Sequence, residues 1–180
     1  MVKHFYFLTG RPGIGKTSII LEVIRILQEA GYQVGGMISN EQRENRSRVG
    51  FVVRDIATGE TGLLAHVDQP EGPKVGKYKV DLKGLNSVGV KSLVDAINIS
   101  DVIVVDEIGP MELYSESFKE AVLESMQCGK PVLGTIHYRS KSPFILDIRG
   151  REDVEIIEVT MENREHIAEE LSKSILGILI

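Results

Sequence analysis

The sequence predicts an α/β fold, a mostly parallel sheet with helices on both faces, and three observations predict it. An apolar, aromatic run, His4-Phe5-Tyr6-Phe7-Leu8-Thr9, passes straight into the glycine-rich loop Gly10-Arg11-Pro12-Gly13-Ile14-Gly15-Lys16-Thr17. A second run, Val102-Ile103-Val104-Val105, is wholly β-branched and ends in two acids, Asp106 and Glu107. Around these runs, strand-like and helix-like periodicities alternate, as parallel strands joined by crossover helices require.

The first run is long enough for a buried strand. The loop after it fills every fixed position of G-x-x-x-x-G-K-[ST], a spacing that turns backbone amides toward phosphates while the next helix presents its N-terminus to them. Ile19, Ile20, Val23, Ile24 and Leu27 then recur at helical spacing, and Gly31 stops that helix. Gly10, Gly13 and Gly15 allow close approach to an anion, and with Pro12 and Ile14 they make all of residues 10–17 candidate nucleotide contacts. Chemistry divides the roles. Lys16 is a compact cation placed to reach the β and γ phosphates of a triphosphate, and the Thr17 hydroxyl is placed to ligand Mg²⁺. Arg11 either folds back over the phosphates or stays in solvent.

A strand at 33–39 follows, then an irregular region, a helix at about 88–97 and the acid-tipped strand. Such a strand delivers its carboxylates to the edge of the sheet where the phosphates sit. Asp106 reads as the Mg²⁺ holder, directly or through water, because this cation recruits only one or two protein carboxylates. Glu107 reads as the group that orients and deprotonates the attacking water. Asp106, Glu107, Ile108 and Gly109 also match the D-x-x-G pattern of switch GTPases, which makes Ile108 and Gly109 candidate nucleotide contacts. A switch GTPase is disfavoured: Pro110 stands where a water-orienting glutamine commonly follows, and the chain has no Asn-Lys-x-Asp segment.

A further helix begins near Ser115, with Ser117 and Glu120 at capping-box spacing and Phe118, Val122 and Met126 as its core stripe. Strands at 131–136 and 154–159 come next, then a C-terminal helix carrying Ile167, Leu171 and Ile175 on one face. By analogy with phosphate-loop folds that place a glutamate beside the metal-binding aspartate, strand 131–136 should lie between the first strand and the Val102 strand. That order would bring Thr135, Ile136 and His137 close to the γ phosphate.

Residues 40–84 break the alternation. Val49-Gly50-Phe51-Val52-Val53-Arg54 alternates apolar and polar residues, the chain turns at Thr58-Gly59, and Leu63, Leu64 and Val67 resume the pattern, so an antiparallel hairpin or lid is added to the sheet here. Arg43, Arg46 and Arg48 precede it and Lys74, Lys77 and Lys79 follow. One of these cations could reach the γ oxygens as charge develops there, or all six could guard the hairpin edge against strand pairing.

The loop 10–17, the segment Val105-Asp106-Glu107-Ile108-Gly109-Pro110-Met111-Glu112-Leu113, and residues 43–51 with Arg48-Val49-Gly50-Phe51 resemble the THEP1 family of nucleoside-triphosphatases. Val75-Gly76-Lys77-Tyr78 and Val159-Thr160-Met161-Glu162-Asn163-Arg164 extend the likeness over nearly the whole chain. The resemblance implies a P-loop NTPase with a RecA-like sheet that hydrolyses several nucleoside triphosphates to diphosphate and phosphate, with Mg²⁺ and loose choice of base. It singles out Arg43, Arg48 and Lys77 among the six cations because they lie in the matching segments. It departs at Pro110, where the family often carries lysine.

Composition sets the bounds. A chain of 180 residues with 42% hydrophobic and 26% charged content suits one domain over 1–180. A net charge of −5 argues against nucleic acid as a partner. No apolar stretch reaches the length of a membrane span, and the apolar N-terminus runs into the loop without a cleavable signal, so a cytoplasmic protein is expected. Cys128 is the only cysteine, which excludes an internal disulfide and the usual zinc clusters. Without a coiled-coil seam, a monomer is favoured. Two alternatives to hydrolysis remain: a small-molecule or nucleotide kinase whose acceptor pocket lies in 40–84, and a binding module timed by slow hydrolysis.

Overall fold

The structure, a computed structural model, describes residues 3–180. The chain runs β1 (Phe5–Thr9), α1 (Lys16–Glu29), β2 (Val34–Glu44), β3 (Ser47–Asp55), β4 (Thr61–His66), β5 (Lys74–Val75), β6 (Tyr78–Val80) and α2 (Leu82–Gly84). A π-helical turn, Leu85–Val90, leads into α3 (Lys91–Ile99), followed by β7 (Val102–Ile108), a 3-10 turn (Glu112–Tyr114), α4 (Glu116–Ser125), β8 (Val132–Ile136), α5 (Pro143–Arg149), β9 (Val154–Glu158) and α6 (Ile167–Leu179).

Among the described residues, nine strands form one sheet in the order β5-β6-β4-β3-β2-β7-β8-β1-β9. The pairs from β2 through β9 are parallel, and those from β2 out to β5 are antiparallel. β8 thus lies between β1 and β7, as the glutamate-beside-aspartate analogy requires. Because side chains alternate across a strand, β1 sends Phe5 and Phe7 into one core and Tyr6 and Leu8 into the other. The first core holds Leu93 of α3, Phe118 and Val122 of α4 and Ile145 of α5; the second holds Ile20, Val23 and Leu27 of α1 with Leu171 and Ile175 of α6. Helices therefore cover both faces. The C-terminal ends of β1, β7 and β8 are left open between the two layers.

β2 is longer than its sequence pattern implies. Val34–Ile38 pairs parallel with β7, and the same strand continues past Ser39 to pair antiparallel with β3. β2 and β3 thus form a hairpin that grows out of a core strand and precedes the expected one. Its tip is Asn45-Arg46, both at positive φ (47° and 67°), the mirror-image turn that matches strand twist. The expected turn at Thr58-Gly59 joins β3 to β4, and the small β5–β6 hairpin, which the sequence reading lacks, closes the meander.

Two local expectations are corrected, and one helix is added. The cap of α4 is Ser115, not Ser117: Ser115 is extended (φ −94°, ψ 114°) and its hydroxyl accepts from the Phe118 amide at 3.1 Å, whereas Ser117 is already inside the helix. A cap of this kind is worth about 1 kcal/mol. The helical stretch expected at 88–97 begins earlier, at Leu82, where Asp81 accepts from the Gly84 amide, and it passes a π-helical turn before α3. The added helix is α5, whose Pro143 in the first turn is a recognised start signal. Among the described residues no helix is long and apolar enough to cross a membrane.

Candidate active site

The loop between β1 and α1 takes its shape from its glycines. Gly13 (φ 78°) and Gly15 (φ 112°) adopt backbone angles that side chains rarely permit, and Gly15 starts α1. The first residues of α1 are Lys16 and Thr17. The Lys16 ammonium donates to the Gly10 and Arg11 carbonyls at 3.0 and 3.1 Å, so its charge lies across the loop's mouth. Arg11 and Pro12 are exposed at the rim, and Ile14 packs against the α1–α6 core.

β7 brings its acids to the same place. Asp106 is 2% exposed, and both of its oxygens accept hydroxyl hydrogens: Oδ2 from Thr17 at 2.9 Å and Oδ1 from Thr135 of β8 at 2.6 Å. Burial pushes its pKa up to about 6; the two hydroxyls and the Lys16 charge oppose that rise, and the neighbouring Glu107 adds to it. Among the described residues Asp106 forms no salt bridge. A buried carboxylate of this kind beside a threonine hydroxyl suits a hard cation. No group of three His, Cys, Asp or Glu gathers into a metal cage among the described residues. One carboxylate and one hydroxyl fit Mg²⁺ held mainly by phosphate and water.

Glu107 is also raised by burial, with Lys16 pulling it down. Ile108 is buried, and its carbonyl accepts from the His137 amide at 3.0 Å, which ties the ends of β7 and β8 together. A Cβ on Gly109 would stand 2.8 Å from one oxygen of Glu107 and 3.2 Å from one of Glu112, so the two carboxylates flank this glycine. Glu112 is buried and its pKa lies well above the usual carboxylate value, first through burial and then through the Glu107 charge. Sequence reasoning missed it as a site residue, because an acid in a turn gives no sign of being buried.

His137 stands at the end of β8. Burial lowers its pKa, with the Lys16 and Arg149 charges adding to the effect, and its Nδ1 is buried without a hydrogen-bond partner. His137 lines both cavities together with Lys16 and Glu107, so its ring borders the space between them. Arg149 of α5 braces this end of the sheet, donating to Thr9 Oγ1 at 3.2 Å and the His137 carbonyl at 2.9 Å.

Two cavities meet here. One, about 560 Å³, is bounded by Arg11, Tyr138 and Arg139; the other, about 680 Å³, extends toward the added strands. Pro12, Lys16, Glu107 and His137 line both. Of the three cations singled out from sequence, only Arg48 lines either cavity. It bonds Glu41 at 2.8 Å and the Tyr78 hydroxyl at 3.0 Å. Arg43 pairs with Glu41 at 2.7 Å near the hairpin tip, and Lys77 lies exposed over the Tyr78 ring at 5.4 Å.

Comparison with known proteins gives a consistent answer. A family model described as NTPase matches residues 5–172. The nucleoside-triphosphatase THEP1 of Thermofilum pendens is 47% identical over 180 residues, spanning 99% of both chains, and that of Methanopyrus kandleri is 40% identical over 174 residues, spanning 96% of both. The crystal structure of THEP1 from the hyperthermophile Aquifex aeolicus superposes with a TM-score of 0.83 at 28% identity, over 95% of this chain and 98% of that one. The solution structure of a human cancer-related nucleoside triphosphatase gives 0.81 at 34% identity, over 98% of each chain. With its phosphate loop and acid-tipped strand on a P-loop NTPase α/β fold, the chain belongs to the THEP1 nucleoside-triphosphatase family.

Proposed function

We propose that the protein hydrolyses nucleoside triphosphates to diphosphate and phosphate, depends on Mg²⁺, and discriminates little between bases. The observation that carries this reading is the meeting of Lys16, Thr17, Asp106 and Glu107, from two distant stretches of chain, at one end of the sheet. The backbone N–H groups of the loop 10–17, Pro12 excepted, hold the β phosphate, and Lys16 neutralises charge on the β and γ oxygens. Thr17 and Asp106 hold Mg²⁺, which when bound draws charge from the phosphate oxygens. Glu107 orients a water and takes its proton. His137, through Nδ1 or the opposite ring nitrogen, supplies a hydrogen bond to the transferred group. Arg48 is the best placed of the three cations for charge stabilisation, since it alone lines a cavity containing Lys16. Loose base choice rests on the absence of Asn-Lys-x-Asp from the sequence and on the family resemblance.

Metal removal tests this reading. Phosphate release should stop in chelator and return with added Mg²⁺. A proton and the metal compete for Asp106, whose pKa is about 6. Below that pH each further unit should raise the Mg²⁺ concentration for half-maximal rate by up to ~10-fold. Phosphate release that continues in chelator would contradict the metal's role.

A further inference from the structure

The cavity on the side of the added strands extends beyond the phosphate loop and the acids of β7. The cavity of about 680 Å³ has to take the phosphates and Mg²⁺ at its loop end, and it continues past them to residues that neither the phosphates nor an attacking water would touch. Lys16, Thr17 and the acids of β7 occupy one end. The other end is built from the meander that interrupts the parallel alternation: Phe51 of β3, Leu64 of β4 and Tyr78 of β6, with Met111 closing it from beyond β7. Leu64 and Tyr78 are buried, and the Phe51 and Tyr78 rings meet edge to face with centroids 5.2 Å apart.

This end also carries placed polar groups. The planar Arg48 guanidinium lies 5.1 Å from the Phe51 centroid and 5.9 Å from that of Tyr78, fixed by its bonds to Tyr78 and Glu41. Ser39 lines the chamber, and its Oγ is buried without a hydrogen-bond partner. A buried hydroxyl in that state calls for a partner. Apolar and aromatic side chains with a few convergent polar groups are the usual lining of a small-molecule site, and Phe51, Leu64, Tyr78 and Met111 with Ser39, Asn40, Glu41 and Arg48 supply both at this end. Two aromatic rings beside a flat cation favour a flat π system.

We propose that the far end of this chamber is a phosphoryl-acceptor site for a nucleoside-sized alcohol. Its ring would lie against Phe51, Tyr78 and Met111, its polar edge would meet Ser39, and its hydroxyl would reach Glu107. In the transfer step the acceptor oxygen bonds to the γ phosphorus of the triphosphate. The bond from that phosphorus to the β–γ bridging oxygen breaks, its electron pair leaves on the diphosphate, and the hydroxyl proton passes to the Glu107 carboxylate. Hydrolysis is then the same displacement with water in the acceptor's place.

The test uses the full chain with Mg²⁺, γ-labelled ATP or GTP, and the common ribo- and deoxyribonucleosides at millimolar concentration. Label should appear in nucleoside monophosphate as well as in free phosphate. Phe51→Leu, which keeps an apolar side chain in the sheet, should lower transfer by ~10-fold or more while hydrolysis stays within about twofold. Ser39→Ala should raise the acceptor KM with hydrolysis unchanged. Normal hydrolysis with every count in free phosphate, whichever nucleoside is present, would overturn the acceptor site and leave the hydrolase reading intact. An equal loss of both activities in Phe51→Leu would overturn it too. Transfer without hydrolysis would support the acceptor site and sink the hydrolase reading.

Discussion

Glu107→Gln is expected to lower kcat for triphosphate hydrolysis by ~10²–10⁴-fold, the range of a lost general base, while the Kd for nucleotide changes little. The substitution keeps the side chain's shape and its place beside Gly109 but leaves no carboxylate to take the water's proton. Binding survives because the groups proposed to hold the phosphates, residues 10–17, are untouched. Removing a negative charge from beside the γ phosphate would if anything tighten binding. Single-turnover phosphate release with a calorimetric Kd on the same sample separates the two effects. A variant that hydrolyses at more than about half the parental rate would remove Glu107 from proton transfer.

Lys16→Ala should cost a comparable ~10²–10⁴-fold in kcat/KM, with a weaker Kd as well, because the ammonium lies across the loop's mouth. Its loss has a second, less obvious consequence. The Lys16 charge draws the pKa of Glu107 down against the burial that raises it. Without Lys16 that opposition disappears, Glu107 holds its proton to higher pH, and the acid limb of the pH profile for kcat/KM should move upward. Lys16→Arg keeps the charge and should restore most of that limb, although the broad guanidinium fits a loop shaped for a compact ammonium poorly and kcat should stay low. An unmoved acid limb in Lys16→Ala would mean that Lys16 and Glu107 are not coupled as their positions imply.

The residues that were legible in the sequence share a physical reason: local pattern alone specifies them. The loop 10–17 is read from spacing because its backbone, more than its surroundings, does the binding. β1 and β7 are read from unbroken apolar runs because both faces of each strand are buried. Asp106 and Glu107 are read because two acids ending such a run have only the sheet's edge to occupy. The order of β8 between β1 and β7 followed by analogy, and it brings Thr135 onto Asp106.

What sequence left unread depends on contacts between distant segments. Burial of Glu112 comes from the turn after β7 folding back beside Glu107, and nothing local marks it. Arg43, Arg48 and Lys77 look alike as cations near a hairpin, yet only Arg48 is drawn into a cavity, by Glu41 and the Tyr78 hydroxyl. The aromatic wall of Phe51 and Tyr78 joins β3 to β6, a strand too short to show a period. Ser115 and Ser117 are equally good capping residues for α4, and the 3-10 turn that ends just before Ser115 decides between them.

The most direct test of the central claim is a crystal structure with Mg²⁺ and a nonhydrolysable triphosphate. The β and γ phosphates should lie in the loop 10–17 with Lys16 on their oxygens. Mg²⁺ should touch Thr17 Oγ1, with Asp106 bound to it directly or through water, and a water should stand between Glu107 and the γ phosphorus. A triphosphate bound elsewhere, or a Glu107 carboxylate turned away from the γ phosphate, would contradict the account.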